Sequence, residues 1–231
     1  MTDILVDRDG DVLTLTLNRP EVLNAMSNDM RNGILRELTA ETDKQTVRAI
    51  LLTGSGRGFC TGADLDLGTI LERRPLIEGQ IKAGTNQVIR LMRDIPVPII
   101  AAVNGPAVGG GASLALACDV AIAAPKASYY FAFGRMGASG ADMGCTYLLP
   151  RLVGTMRASQ LMLTGATVEA EEGRELGLFT EVVPADQLRA AAERTAQAMI
   201  DASPRRATAF TKMALFRGET MDLESCLEYE M

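Results

Sequence analysis

Two glycine turns carry the residues best placed for chemistry. Gly109-Gly110-Gly111 falls where a helix should start after a buried strand, and Gly62-Ala63 falls at the end of a neighbouring strand. Glycine tolerates positive φ and lets a ligand approach the backbone closely. A helix start leaves N–H groups without intrahelical partners and favours negative charge, so the Gly110 N–H points outward as a donor to an anion. An Ala63 N–H converging on the same point would complete an oxyanion hole for an enolate or a tetrahedral intermediate. Losing one such donor costs about 2.7–4 kcal/mol of barrier. On spacing alone, tight turning and close helix packing remain the stronger explanation of these glycines.

The missing residue types exclude several chemistries. Histidine is absent, so a Ser-His-Asp triad cannot form within the chain, which disfavours a peptidase. A zinc site needs histidine or clustered cysteine. The four cysteines, Cys60, Cys118, Cys145 and Cys226, include no C-x-x-C pair and read as scattered thiols of a reducing compartment, so no metal is expected. Gly54-Ser55-Gly56-Arg57-Gly58 is not a G-x-G-x-x-G fingerprint, and neither a P-loop nor a G-x-S-x-G elbow occurs. The net charge of −6 is spread thinly with no basic stripe, which argues against nucleic acid as a partner. No basic-then-apolar leader is visible. The longest weakly polar stretch, 112–124, contains Ser113 and Asp119. It is shorter than the ~20 apolar residues of a membrane helix. A soluble, cytoplasmic protein without a membrane partner is expected.

The elements that must position the turns follow from periodicity. With 231 residues, 47% of them hydrophobic, the chain can bury a substantial core. Leu13, Leu15 and Leu17 alternate with Val12, Thr14 and Thr16, and Asp9-Gly10 precedes them, which predicts a hairpin. Ser27 should cap a helix whose stripe is Met30, Ile34, Leu35 and Leu38. Residues 48–53 form a short buried strand running into the glycine-rich 54–62. A helix with Val88 and Met92 follows, then a second strand at 98–103 and a third at 119–123. Strand, glycine turn and helix in repetition argue for parallel strands with helical crossovers. Helices are predicted to end at Gly165 and, for 168–176, at Gly177, with a strand at 179–183. A helix over 186–200 follows, and another opens at Ser203-Pro204. The division is a core domain at 1–200 and a helical C-terminal portion at 201–231.

The motifs themselves are more specific than their glycines. Gly58-Phe59-Cys60-Thr61-Gly62-Ala63-Asp64-Leu65 resembles the first fingerprint of the crotonase (enoyl-CoA hydratase/isomerase) superfamily. Residues 98–116, followed by Cys118-Asp119, resemble the second. Asn18-Arg19-Pro20, Leu23-Asn24-Ala25 and Leu163-Thr164-Gly165 match in order and spacing, so the resemblance runs from about residue 3 to 217. It implies an α/β fold, a spiral of β-β-α turns with a helical C-terminal region that assembles as a homotrimer or a dimer of trimers. It implies an acyl-CoA thioester as substrate partner, with coenzyme A carried by the substrate and no separate cofactor. By the same resemblance Ala63 and Gly110 hold the thioester oxygen. The backbone at Thr61, Gly62, Ala63, Asp64 and Leu65 meets the adenine half of CoA, and Val22 and Leu23 lie along the pantetheine and phosphate portion. Glu21 stands where family members often carry a basic residue. Members also continue through a further helical segment, so the resemblance implies a shortened C-terminal portion here.

The catalytic acids depart from the hydratase pattern. Hydratases of this family place one glutamate three residues after the oxyanion glycine and another in the following segment; here these positions hold Ser113 and Phe133. Adding water across a double bond needs one group to activate water and another to protonate carbon. Asp142, in Gly140-Ala141-Asp142-Met143-Gly144, matches the aspartate of dienoyl-CoA and ring-epoxide isomerases, and the following 145–151 also resembles the latter. A single carboxylate suffices to carry a proton between C2 and C4 of an enoyl thioester. Phe133 and Phe131 would line an apolar pocket that raises its pKa. Taken by position, Asp142 would also cap a helix starting at Met143, and Arg135 is a candidate ion-pair partner. Isomerisation is favoured, with atypical hydration and non-catalytic acyl-CoA binding as alternatives.

Overall fold

In the computed structural model, which describes residues 2–64, 75–131 and 142–231, the alternating leucines form the expected hairpin. Strands β1 (Ile4–Asp9) and β2 (Val12–Leu17) pair antiparallel, with Leu13, Leu15 and Leu17 all buried. Ser27 caps α1 (Asn28–Lys44) by accepting the Met30 N–H at 3.0 Å, and Met30, Ile34 and Leu38 face the core. The chain then runs through β3 (Ala49–Gly54), α2 (Pro75–Asp94), β4 (Ile99–Val103), β5 (Pro106–Val108) and α3 (Gly110–Leu116). Strands β6 (Val120–Ala123) and β7 (Ser128–Tyr130) follow.

Each turn of the chain gives one strand to each of two sheets. β4 is followed by β5, and β6 by β7; β3 is followed by a bridge in which Cys60 pairs with Ala107 of β5. Among the described residues the larger sheet has the order β1-β2-β3-β4-β6-β9, with β9 at Glu181–Val182, and is parallel from β2 onward. The smaller sheet is β5-β7-β8, with β8 at Thr167–Glu169. This is the spiral of β-β-α turns that the sequence motifs implied. The parallel strands are covered on both faces, which is why they read as unbroken apolar runs. Ala49 and Leu51 pack with Ile100 and Ile122 against Ala192 and Ile200 of α7 (Leu188–Ala202). Ile50 and Leu52 lie in the opposite core with Phe59, Met92 and Leu114.

The C-terminal helices are α4 (Cys145–Val153), α5 (Thr155–Thr164), α6 (Ala170–Glu175), α7, α8 (Arg205–Gly218) and α9 (Leu223–Glu230). Lys212 fastens α8 to the core. It is buried, donates to the carbonyls of Met92 and Val97 at 3.0 Å each, and lies 2.9 Å from the Asp119 carboxylate. Burial pulls its pKa down while Asp119 pushes it back up. Breaking such a buried pair from one side costs about 3–5 kcal/mol. No helix among the described residues is long and apolar enough to cross a membrane.

Besides the strand expected at 179–183, which is confined to Glu181–Val182, and the helix expected over 186–200, which runs Leu188–Ala202, three element boundaries differ from the sequence pattern. Val168 lies in β8, paired with Tyr129 across the small sheet, so the helix expected over 168–176 is confined to Ala170–Glu175. The helix after residue 203 begins at Arg205 with Pro204 at its cap, and the Ser203 hydroxyl instead meets that of Thr208 at 2.9 Å. The helix expected from Met143 begins at Cys145, because Met143 (φ 47°) and Gly144 (φ 73°) are both left-handed.

Candidate active site

The two glycine turns meet as the spacing requires. Phe59 donates to Pro106 at 3.1 Å and Val108 to Cys60 at 2.9 Å, zipping the segment after β3 to β5. The chains then part at Gly62 (φ 85°) and Gly109 (φ 52°). A Cβ on Gly62 would sit 2.9 Å from the Val108 carbonyl and 3.2 Å from the Gly110 nitrogen, so the turns are in contact. A Cβ on Gly111 would lie 2.0 Å from the Cys60 carbonyl, a collision with backbone that no side-chain motion relieves. The Gly109 N–H is taken by the Tyr130 carbonyl at 2.9 Å. By contrast, neither the Ala63 nor the Gly110 N–H finds an acceptor among the described residues. Two backbone donors on touching turns are the arrangement an oxyanion requires.

The residues assigned to CoA form one continuous edge beside these donors. Leu23, in the left-handed region at φ 51°, follows a short 3-10 turn at Pro20–Val22 and accepts from Thr61 N at 3.2 Å. Met26 N donates to Gly62 at 2.7 Å, and Asp64 N donates to Met26 at 3.2 Å. Val22, Leu23, Thr61, Gly62, Ala63 and Asp64 are thereby brought together; Leu65 lies outside the described residues. The Asp64 carboxylate is taken by Arg19 at 2.8 Å.

Two asparagines hold this edge, and pattern reading gave them no role beyond their motifs. Buried Asn24 donates to the carbonyls of Ser55 and Gly58 at 2.9 and 2.8 Å and accepts from Arg19 N at 2.8 Å. Asn104 donates to Gly56 and the same Gly58 carbonyl and accepts from Gly54 N at 3.1 Å. The signal was present in the turn-prone Asn24-Ala25 and Asn104-Gly105 pairs, since asparagine side chains bond nearby backbone and tolerate the left-handed region.

The acid side of the site is built on α3 and the turn before α4. Ser113 is fully buried, and its hydroxyl lies 3.4 Å from the carbonyls of both Gly109 and Asp142. Asp142 is half-buried, and its carbonyl also accepts from Cys145 N at 3.0 Å. Asp142 is therefore not the helix cap that its position suggested: Gly144 occupies that place. Phe133 and Arg135 lie outside the described residues. Phe131 is a core residue stacked on Tyr129. Burial pushes the thiols of Cys60 and Cys145 up to about 11, so both stay protonated and un-nucleophilic near neutral pH.

Comparison with known proteins shows the family. The sequence model of the enoyl-CoA hydratase/isomerase family matches residues 7–231. The 1,2-epoxyphenylacetyl-CoA isomerase of Escherichia coli is 37% identical over 232 residues, covering 100% of this chain and 88% of that protein. The crystal structure of an enoyl-CoA hydratase from Bacillus anthracis superposes with a TM-score of 0.92 at 33% identity, covering 99% and 88% of the two chains. That of a monofunctional enoyl CoA isomerase from M. smegmatis gives 0.82 at 37% identity, covering 98% and 99%. The chain belongs to the enoyl-CoA hydratase/isomerase family of the crotonase superfamily.

Proposed function

We propose that the protein shifts a double bond, or isomerises a ring, in an enoyl-CoA thioester, with Asp142 carrying the proton. The observation behind this reading is the contact between Ser113 and Asp142. The position three residues after Gly110 holds a buried hydroxyl, and that hydroxyl touches the backbone of Asp142, a carboxylate residue beside the turn. In this reading CoA lies along Val22, Leu23 and Thr61 to Asp64, and the thioester oxygen accepts from the Ala63 and Gly110 N–H groups. The Asp142 carboxylate removes a proton from C2 or C4. The electron pair delocalises onto the thioester oxygen as a dienolate, and the proton returns to the other carbon, so no atom is gained or lost. Similarity to proteins named as isomerases supports the assignment.

Similarity to the enoyl-CoA hydratase of Bacillus anthracis favours a second reading, hydration with atypical acid and base groups. Asp142→Asn, assayed with 3-enoyl-CoA, should lower turnover by about 10²–10⁴-fold. Unchanged turnover removes Asp142 from the mechanism. Crotonyl-CoA hydration by the unaltered protein at an ordinary enzymatic rate would establish the second reading. Tight thioester binding without turnover of either substrate would reduce the function to acyl-CoA binding.

A further inference from the structure

A buried side chain stands against the oxyanion turn, and the residue after it lines a cavity. Met143 is buried in the left-handed region, and its sulfur lies 2.8 Å from where a Cβ on Gly110 would be, against the bare face of the donor turn. The next residue, Gly144, lines a cavity of about 340 Å³ between α2, α4 and α8. A Cβ on Gly144 would lie 3.7 Å from Ile89 and 3.9 Å from Leu148, both of which line the same cavity. The Met143-Gly144 pair thus runs from the donor turn to the wall of this space. Its volume falls within the roughly 300–1,000 Å³ of small-molecule sites.

The lining selects the chemistry of what it can hold. Ile89, Leu148, Met213 and Phe216 supply apolar surface. Two of the lining arginines are already neutralised: Arg93 pairs with Glu219 at 3.0 Å while lying 3.2 Å from the Phe216 ring centre, and Arg217 pairs with Asp94 at 3.4 Å. The third, Arg90, is exposed. Paired charges over an apolar floor suit an uncharged hydrocarbon or aromatic tail better than one ending in a carboxylate. Methionine, with three rotatable bonds, can swing aside where a branched residue could not.

We propose that Met143 sets how long an acyl group the site accepts, and that uncharged tails extending past it enter the cavity between α2, α4 and α8. The inference rests on the acyl-CoA reading of the site but not on which reaction the site performs. Its test therefore uses saturated thioesters and a binding measurement. Calorimetric affinities for butanoyl-CoA and dodecanoyl-CoA give a long-to-short ratio for each variant. Met143→Ala, which clears the passage, should raise that ratio about tenfold, in line with discrimination by hydrophobic pockets. Met213→Trp, which fills the cavity from the partly exposed α8, should lower it about tenfold. Because Met213 lies away from the donor turn, this variant carries the test alone if Met143→Ala does not fold. An unchanged ratio in a folded variant overturns the proposal while leaving acyl-CoA binding intact. Failure of the unaltered protein to bind either thioester overturns the acyl-CoA reading and this inference together.

Discussion

The Ser113 hydroxyl lies 3.4 Å from the main-chain carbonyl of Asp142, joining the helix of the oxyanion turn to the residue assigned the proton transfer. The same hydroxyl is equally close to the Gly109 carbonyl one turn back along α3. At these lengths the hydroxyl contributes at the low end of the usual range for a hydrogen bond, ~0.5–1.5 kcal/mol. Ser113→Ala should therefore melt close to the unaltered protein. It should lower kcat for 3-enoyl-CoA by about two- to tenfold with KM unchanged, because it loosens the Asp142 turn rather than the CoA edge. Steady-state kinetics check this, and a rise in KM with unchanged kcat would place the effect in substrate binding instead.

Gly62 sets the separation of the two donors. At φ 85°, with 2.9 Å from a Cβ to the Val108 carbonyl and 3.2 Å to the Gly110 nitrogen, alanine can enter only by pushing the turns apart. Loss of one donor from the thioester oxygen costs about 10²–10³ in kcat. Gly62→Ala should show that loss while circular dichroism still reports a folded protein. A variant with full activity would mean that the thioester oxygen does not sit between Ala63 and Gly110.

The hairpin, the Ser27 cap and the strands β3, β4 and β6 were legible in the sequence because each is decided locally, by period-two alternation, a capping side chain or an apolar run. The strands of the smaller sheet were not. β5, β7 and β8 span three residues each, too few to show a period, and exist because the spiral brings them together. The start of α4 was misplaced for a similar reason. Asp142 before an apolar run looks like a cap, but the left-handed pair Met143-Gly144 shifts the helix to Cys145 and turns Met143 inward. At the site, the contact between the two glycine turns could be anticipated from motif register, whereas the Gly58 carbonyl shared by Asn24 and Asn104 depends on contacts 34 and 46 residues apart in the chain.

The loop after α1 should make stability depend on acid. Burial of Glu41 would raise its pKa, but side-chain bonds from Thr46 and Arg8 and the N–H groups of Val47 and Thr46 outweigh it and hold the carboxylate below its ordinary value of 4.5. A depressed folded pKa contributes stability that is complete above about pH 4.5 and disappears as the pH falls through the lower folded value. Hydrogen bonds to a charged group contribute ~1.5–3 kcal/mol. Glu41→Gln should lose about that much at neutral pH and flatten the acid limb of a denaturation series below pH 4.5. Parallel acid limbs in the two proteins would show that other carboxylates dominate there.

Tyr129 supports the opposite kind of expectation, a substitution that improves the fold. It is among the largest fully buried side chains, lies in β7 and stacks on Phe179 with ring centres 4.6 Å apart. Its hydroxyl has no hydrogen-bond partner among the described residues. Burial raises its pKa well above the ordinary value, so the group stays a neutral phenol. A buried hydroxyl left unpaired costs about 1–3 kcal/mol, while the ring supplies the packing and the aromatic contact. Tyr129→Phe keeps the ring and removes the unpaired oxygen. It should raise stability by about 1 kcal/mol in urea denaturation, with an unchanged m-value because the same surface is buried. A loss of stability in this variant would show that the hydroxyl is satisfied by a buried water, which typically makes about three hydrogen bonds where the cavity is polar enough to hold one.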